Sequence, residues 1–299
     1  MDFDILSILN KAEFSGEVID LLYNDFQKAI NSDKKGEIYS LVESFSKSAI
    51  SYDEVTDSLK TIFLSFDINE YTACLLTLAL LLIVLEKTYI DKNLPLSVYF
   101  DVLRDLRYKA LDCEGRFNVW GINGFSWFKE YFEFKKFPFG KLQYQLGHFN
   151  GDAEVNGVKI NDGDNVLYVH VPRTGGKLDY ESVRESYSMV DNFIKKYFPE
   201  YFNGKPTILV FRSWMLFEKW KEVLPANGNF MRFCSDYEIV GRADYEDYST
   251  AWRIFYKPYE NNPEEMPQDT SLQKACLDLI KRGEKLGFAK GVYILKWKI

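Results

Sequence analysis

The stretch Asn165-Val166-Leu167-Tyr168-Val169-His170-Val171-Pro172-Arg173-Thr174-Gly175-Gly176-Lys177-Leu178-Asp179 decides how the chain reads as a fold. Val166 to Val171 is a near-continuous apolar run, the pattern of a strand covered on both faces, and Pro172 ends it because proline has no N–H for a ladder. A basic glycine turn follows. Beyond it Val183, Tyr187, Val190, Ile194 and Tyr197 recur at helical spacing, so Asn165 to Tyr197 predicts strand, turn and long amphipathic helix.

Upstream of this segment the hydrophobic period is two. Leu142, Tyr144 and Leu146 alternate with Lys141, Gln143 and Gln145, and Val155 to Ile160 behaves alike around Asn156-Gly157, so antiparallel strands are expected. Asn161-Asp162-Gly163-Asp164 is a turn. Downstream, the pattern predicts a strand over Thr207 to Phe211, a short helix over Met215 to Leu224, and strands over Phe230 to Val240 and Thr250 to Tyr256. A helix carrying Leu272, Ala275, Cys276, Leu279 and Ile280 and a short final strand over Val292 to Leu295 complete it.

Before residue 112 the period is helical. Val18, Leu21, Leu22, Phe26 and Ile30 form one stripe, Ile38, Leu41, Val42 and Phe45 a second, and Val55, Leu59 and Ile62 begin a third. Ala73 to Leu85 is apolar except for Thr77; these thirteen residues fall short of the roughly 20 that cross a bilayer, and the segment reads as a buried core helix. A fifth helix follows Pro95, with Val98, Val102, Leu106 and Ala110 inward. Glycines and a dense aromatic run from Trp120 to Phe139 then mark a junction; the run suits either packing between the two halves or the lining of an acyl or sugar pocket. The expected class is α+β: a helical N-terminal domain over 1–135, then a mixed sheet flanked by helices over 136–299.

Composition narrows the partners. A chain of 299 residues with 46% apolar and 17% aromatic residues has material for two packed domains. Its net charge of −7 would repel a phosphate backbone, which argues against nucleic acid and anionic membrane as main partners. Cys74, Cys113, Cys234 and Cys276 are widely spaced and read as reduced, buried thiols, with no pair spaced to chelate a metal. The start Met1-Asp2-Phe3-Asp4 lacks the basic residues of a signal peptide, so a cytoplasmic location is expected. His148 has no ligand or triad spacing, and no GxSxG, HExxH or P-loop lysine motif occurs.

The order of two antiparallel strands, a central strand, a glycine turn, a helix and a further strand is that of the GNAT acetyltransferase fold. More specifically, the chain resembles a bacterial family of acyltransferase-domain proteins, with a helical N-acyltransferase N-terminal domain and a GNAT-like C-terminal domain. The residues that carry this are Gly140-Lys141-Leu142-Gln143-Tyr144-Gln145-Leu146-Gly147, Tyr168-Val169-His170-Val171-Pro172, Ser213-Trp214-Met215-Leu216 and Pro267-Gln268-Asp269-Thr270-Ser271-Leu272-Gln273, in the same order.

The resemblance implies an acyl-CoA-dependent N-acyltransferase with acyl-CoA as co-substrate, an amine as acceptor and no metal. It implies that the strand backbone at Val169 and Val171 pairs with the pantetheine arm, and that Arg173, Gly175, Gly176 and Lys177 hold the pyrophosphate. Glycine lets backbone amides approach phosphate closely, and a helix N-terminus adds about half a positive charge. Leu178 stands where the usual loop has glycine or alanine, and Asp179 and Glu181 put carboxylates where that dipole is already satisfied. They favour the alternative, a catalytically inactive ligand- or partner-binding relative.

Transfer to an amine needs a base and an oxyanion donor. His170 is a candidate base, on the strand face of Val166 and Tyr168, and equally reads as a core histidine held by one hydrogen bond. Ser213, at the carboxyl end of a strand, is a candidate catalytic residue and equally the cap of the helix after it. Arg212 beside it suits an anion, but stands where the family commonly has histidine.

Overall fold

The computed structural model describes residues 3–172, 175–244, 248, 251–257, 259 and 262–295. The chain divides into two compact units, the first reaching Pro138 and the second beginning at Phe139.

The first unit is helical. Its helices are α1 (Ile5–Lys11), α2 (Gly16–Ile30), α3 (Lys35–Ser46), α4 (Tyr52–Leu64), α5 (Glu70–Asp91), α6 (Leu96–Phe117) and α7 (Ser126–Phe132). α4 starts in a capping box in which Ser51 and Glu54 each satisfy the other's backbone N–H. α5 is apolar nearly all round and is buried among its neighbours; at 22 residues it has the length and composition to cross a membrane, yet most of that stretch is buried within the unit. The expected stripes face inward, although Leu41 and Phe45 of α3 are only half-buried, and one expected residue is exposed. Val18, Leu22, Phe26 and Ile30 are buried, whereas Leu21 is 49% exposed, because the inward row of α2 runs through Ala29 instead.

The aromatic run folds largely into this unit. Phe128 and Tyr131 on α7 are fully buried, and the Trp127 indole N–H and the Tyr131 hydroxyl both donate to Asp105 Oδ2, at 2.7 and 2.8 Å. Phe132 packs on Tyr52, and Phe134 on Tyr89. α6 and α7 thus extend the helical pattern into a stretch that reads as a break in sequence.

The second unit contains β2 to β8 of a fold whose strands and helices run β1 (Lys136–Phe139), β2 (Leu142–His148), β3 (Ala153–Val155), β4 (Val158–Ile160), β5 (Asn165–His170), α8 (Tyr180–Tyr197), α9 (Pro199–Phe202), β6 (Ile208–Ser213), α10 (Trp220–Val223), α11 (Asn229–Cys234), β7 (Glu238–Asp244), α12 (Trp252–Phe255), α13 (Ser271–Lys281) and β8 (Gly287–Ile294). The sheet order is β1-β2-β5-β6-β8-β7, and β3 with β4 forms a separate hairpin turning at Asn156-Gly157. Every pairing between β2 and β7 in that order is antiparallel except β5 with β6, which α8 connects in parallel. The expected class, helical domain followed by a mixed sheet with flanking helices, is what the chain adopts.

Alternation divides the sheet's two faces. Val166, Val210 and Val292 pack with Phe149 and with Val155 and Ile160 of the hairpin. The other face meets α8: Tyr144 bonds Ser186 at 2.8 Å, and Tyr187 packs on Tyr293 with centroids 5.3 Å apart. α8 buries Val183, Tyr187, Val190 and Ile194 as expected, while Tyr197 is half-buried.

Several expected elements change type. The strand read over Phe230 to Val240 is α11 followed by β7, and that over Thr250 to Tyr256 is α12, with Thr250 outside the described residues. Aromatic residues there suit a strand by propensity, but packing overrides it: Ile254 and Phe255 both donate to Ala251 O and bury their side chains in the cluster around α13. The helix read over Met215 to Leu224 is a single 3-10 turn at Trp214–Leu216 and then the short α10, while the short final strand is the eight-residue β8. Cys74, Cys113 and Cys276 are buried thiols, but Cys234 is only partly covered because it ends the short α11; its thiol faces Met215 O at 3.2 Å.

Candidate active site

β5 differs on its two sides. Toward β2 its ladder is complete, from His148↔Asn165 through Gln143↔His170. Toward β6 the register comprises Leu167↔Leu209 and Tyr168↔Val210, and there the ladder ends, although β5 runs on to His170 and β6 to Ser213. β6 stays paired with β8 through Ser213↔Ala289. The two parallel strands therefore part beyond Tyr168 and Val210, leaving backbone hydrogen-bonding groups of both strands without a ladder partner across the gap.

Three of the expected site residues, Val169, His170 and Ser213, lie on β5 and β6 past the last pair. Val169 lies on β5 just past the last pair, and Val171 follows the strand's end. Val169 is buried and Val171 half-buried. His170 ends β5 with its ring Nε2 2.8 Å from Gln145 Oε1, so with the amide oxygen as acceptor Nε2 carries the hydrogen and Nδ1 the lone pair. Gln145 stands opposite Tyr168 and Gln143 opposite His170, which places both glutamines on the histidine's face of the sheet. Gln143 is buried, and its Oε1 has no hydrogen-bond partner among the described residues.

Ser213 ends β6, and its hydroxyl accepts the Met215 N–H at 3.2 Å, capping the 3-10 turn. Tyr168 registers with Val210, so alternation puts His170 and Arg212 on one face and Ser213 on the other. The structure does not bring His170 and Ser213 together on one face. The Arg212 guanidinium lies 4.7 Å from the Phe288 ring.

In the turn, Arg173 lies outside the described residues, Gly175 is half-buried, and Gly176 and Lys177 are exposed. Gly176 has φ +79°, which glycine adopts without strain. Sequence reasoning passed over Lys141: its Nζ donates to Gly175 O at 2.7 Å, bringing a cation from the start of β2 onto the turn. Thirty-four residues separate the two, so only the β2–β5 pairing reveals the contact.

The N-terminus of α8 is already served. Asp179 accepts the Ser182 N–H at 2.9 Å, and that bond holds its carboxyl below the usual carboxylate range. Close by, the guanidiniums of Arg184 and Arg232 lie 4.8 and 4.3 Å from the Tyr180 ring. Arg184 also pairs with Asp236 and donates to Tyr293 at 2.8 Å, while burial pushes the Asp236 carboxyl up. Phe233, next to Arg232, packs on Phe211, the first residue of β6 past the ladder's end. Among the described residues no group of three or more His, Cys, Asp or Glu side chains is placed to hold a metal ion.

A family model described as the GNAT-like C-terminal domain matches residues 137–293, more than half of the chain and all of the opening between β5 and β6. The chain belongs to this GNAT-like family. Solved structures of similar fold include an acyltransferase in complex with CoA and 10C-teicoplanin, at a TM-score of 0.72. Others are an acyltransferase in complex with decanoyl-CoA and teicoplanin, at 0.69, and an acyltransferase mutant in complex with octanoyl-CoA, at 0.72. Each is 17% identical, with 99% of this chain and 89% of that chain covered. The likeness therefore spans the helical unit as well as the GNAT-like one. No curated protein sequence matches.

Proposed function

We propose that the protein is an acyl-CoA-dependent N-acyltransferase that passes an acyl group directly to an amine. The observation that carries this reading is the end of the β5–β6 ladder at Tyr168↔Val210, because an extended amide-bearing arm can bond the strand edges left open there. Family membership and the acyl-CoA held by structures of similar fold support it.

In this reading the pantetheine arm pairs with the backbone around Val169 and Val171. The pyrophosphate lies at the turn of Gly175 and Gly176, where Lys141 supplies charge, joined by Lys177 and by Arg173, which is outside the described residues. His170, oriented by Gln145, takes a proton from the acceptor as its nitrogen attacks the thioester carbonyl. The N–C bond forms, the C–S bond breaks, and the proton passes on to the departing thiolate. Ser213 lies on the other face of the sheet, where its hydroxyl caps the 3-10 turn by accepting the Met215 N–H, and takes no part in this step.

Isothermal titration with acetyl-, octanoyl- and decanoyl-CoA is the test. Binding of at least one is expected; no heat with any of them rejects the reading.

Asp179 favours a second reading, a GNAT-like binding protein without catalysis, since its carboxylate already occupies the amide a phosphate would take. Mass spectrometry of teicoplanin and simple amines incubated with octanoyl-CoA separates the two. An acyl mass gain supports the enzyme, and CoA binding without any gain supports the binding protein.

A further inference from the structure

Arg212 is exposed near the end of β6, and among the described residues its guanidinium forms no ion pair and no hydrogen bond. The Phe288 ring lies 4.7 Å from it. Its place in the sheet is unfavourable for a cation. Arg212 stands directly opposite Lys290 in the antiparallel β6–β8 pairing, and like charges directly opposite destabilise a sheet. The next position across, on β7, is Gly241, which has no side chain. On the other side, two residues on from the Tyr168↔Val210 pair, comes His170, and beyond it Gln143. The row Gln143, His170, Arg212, Lys290, Gly241 thus crosses the sheet without a carboxylate. Lys290 is engaged elsewhere, donating to Asn150 O at 2.8 Å with its ammonium 4.2 Å from the Phe149 ring. Arg212 remains as an accessible fork, steadied by an aromatic ring, across the opening from the candidate base. A neutral residue would avoid the repulsion, so the guanidinium calls for a ligand of opposite charge.

We propose that Arg212 binds a carboxylate on the acceptor, so that the amine acylated is that of an amino acid. The proposal rests on the N-acyltransferase reading and names its acceptor. A guanidinium offers parallel N–H groups that match the oxygens of a carboxylate, and such a pair fixes direction as well as charge. With His170 and Arg212 on one face, the carboxylate held at Arg212 swings the amine toward His170. The carboxylate stays bound and unchanged. The amine nitrogen attacks the thioester carbon, the nitrogen–carbon bond forms, the carbon–sulfur bond breaks, and the proton taken by His170 passes to sulfur. The same fork suits a CoA phosphate, so the test follows donor affinity as well.

Transfer from octanoyl-CoA is measured with glycine, β-alanine and 4-aminobutyrate and with the matching carboxamides, which have the same shape and no negative charge. The chains are wild type, Arg212→Gln and Arg212→Lys. In wild type the best carboxylate is expected to show a KM roughly ten- to a hundredfold below that of its carboxamide, the scale of one charge-assisted pair. Arg212→Gln is expected to bring the two KM values together, with octanoyl-CoA affinity unchanged by titration. Its melting temperature should be equal or higher, since a charge opposite Lys290 is gone. Arg212→Lys should keep part of the preference, because an ammonium has charge without the fork. Equal KM values in wild type, a preference that survives Arg212→Gln, or a melting temperature that falls by several degrees overturns the role of Arg212 and leaves acyl transfer standing. A tenfold loss of octanoyl-CoA affinity in Arg212→Gln also overturns it, assigning the fork to a CoA phosphate. Octanoyl-CoA binding without transfer to any of these acceptors rejects the inference together with catalysis, and a failure to bind octanoyl-CoA rejects the whole reading.

Discussion

The two sides of β5 were built from one strand and behave oppositely. On the β2 side six consecutive residue pairs hold, and Tyr201 locks the far end: its hydroxyl accepts the Gly147 N–H at 2.7 Å and faces the carbonyls of Gly147 and Val166 at 2.7 and 3.0 Å. Gly147 is required there, since a Cβ would come within 2.8 Å of the Tyr168 ring. On the β6 side the ladder stops after two pairs. One strand therefore carries a rigid edge that positions side chains and an open edge that offers backbone, and the reacting groups are proposed to meet where the two conditions coincide, at His170.

The largest expected effect tests that coincidence. His170→Gln should lower turnover by roughly 10²–10⁴-fold with acyl-CoA binding unchanged, as measured by steady-state thiol release. Wild-type turnover in this variant would break the link between the two edges. Next in size, Leu167→Ala removes a fully buried side chain from the last paired stretch and should cost about 2–5 kcal/mol in denaturant unfolding. A smaller loss would mean that the pairing beside the opening contributes less than its burial suggests. Tyr201→Phe leaves the Gly147 N–H without its partner and should cost about 1–3 kcal/mol, with binding of octanoyl-CoA to the folded protein unaffected.

The smallest effect concerns Asp179. Its folded carboxyl is depressed by the Ser182 N–H, so its stabilising contribution is present above the unfolded value of 3.8 and is lost as pH falls through the folded value. Asn also caps helices well, so Asp179→Asn should keep the melting temperature near neutral pH and lose less of it on acidification below about pH 4. The same variant should bind CoA more tightly at neutral pH, because an anion beside the proposed phosphate site is gone.

Much of this was legible in the chain. The run Val166 to His170, the amphipathic stripe of α8 and the spacing of Leu272, Ala275, Cys276, Leu279 and Ile280 on α13 are local patterns that packing reinforced. α11 and α12 were not, because short aromatic segments satisfy strand and helix patterns alike and their partners in α8 and α13 lie far away in sequence. Lys141 on Gly175 and Gln145 on His170 are also invisible to period and motif.

What the sequence alone determined is which segments form the principal elements and which face of each turns inward, because hydrophobic spacing acts within a few residues. Only the tertiary structure decided where β5 leaves β6. That depends on how α8 returns the chain and how β8 holds β6 on its other side, which no local stretch encodes.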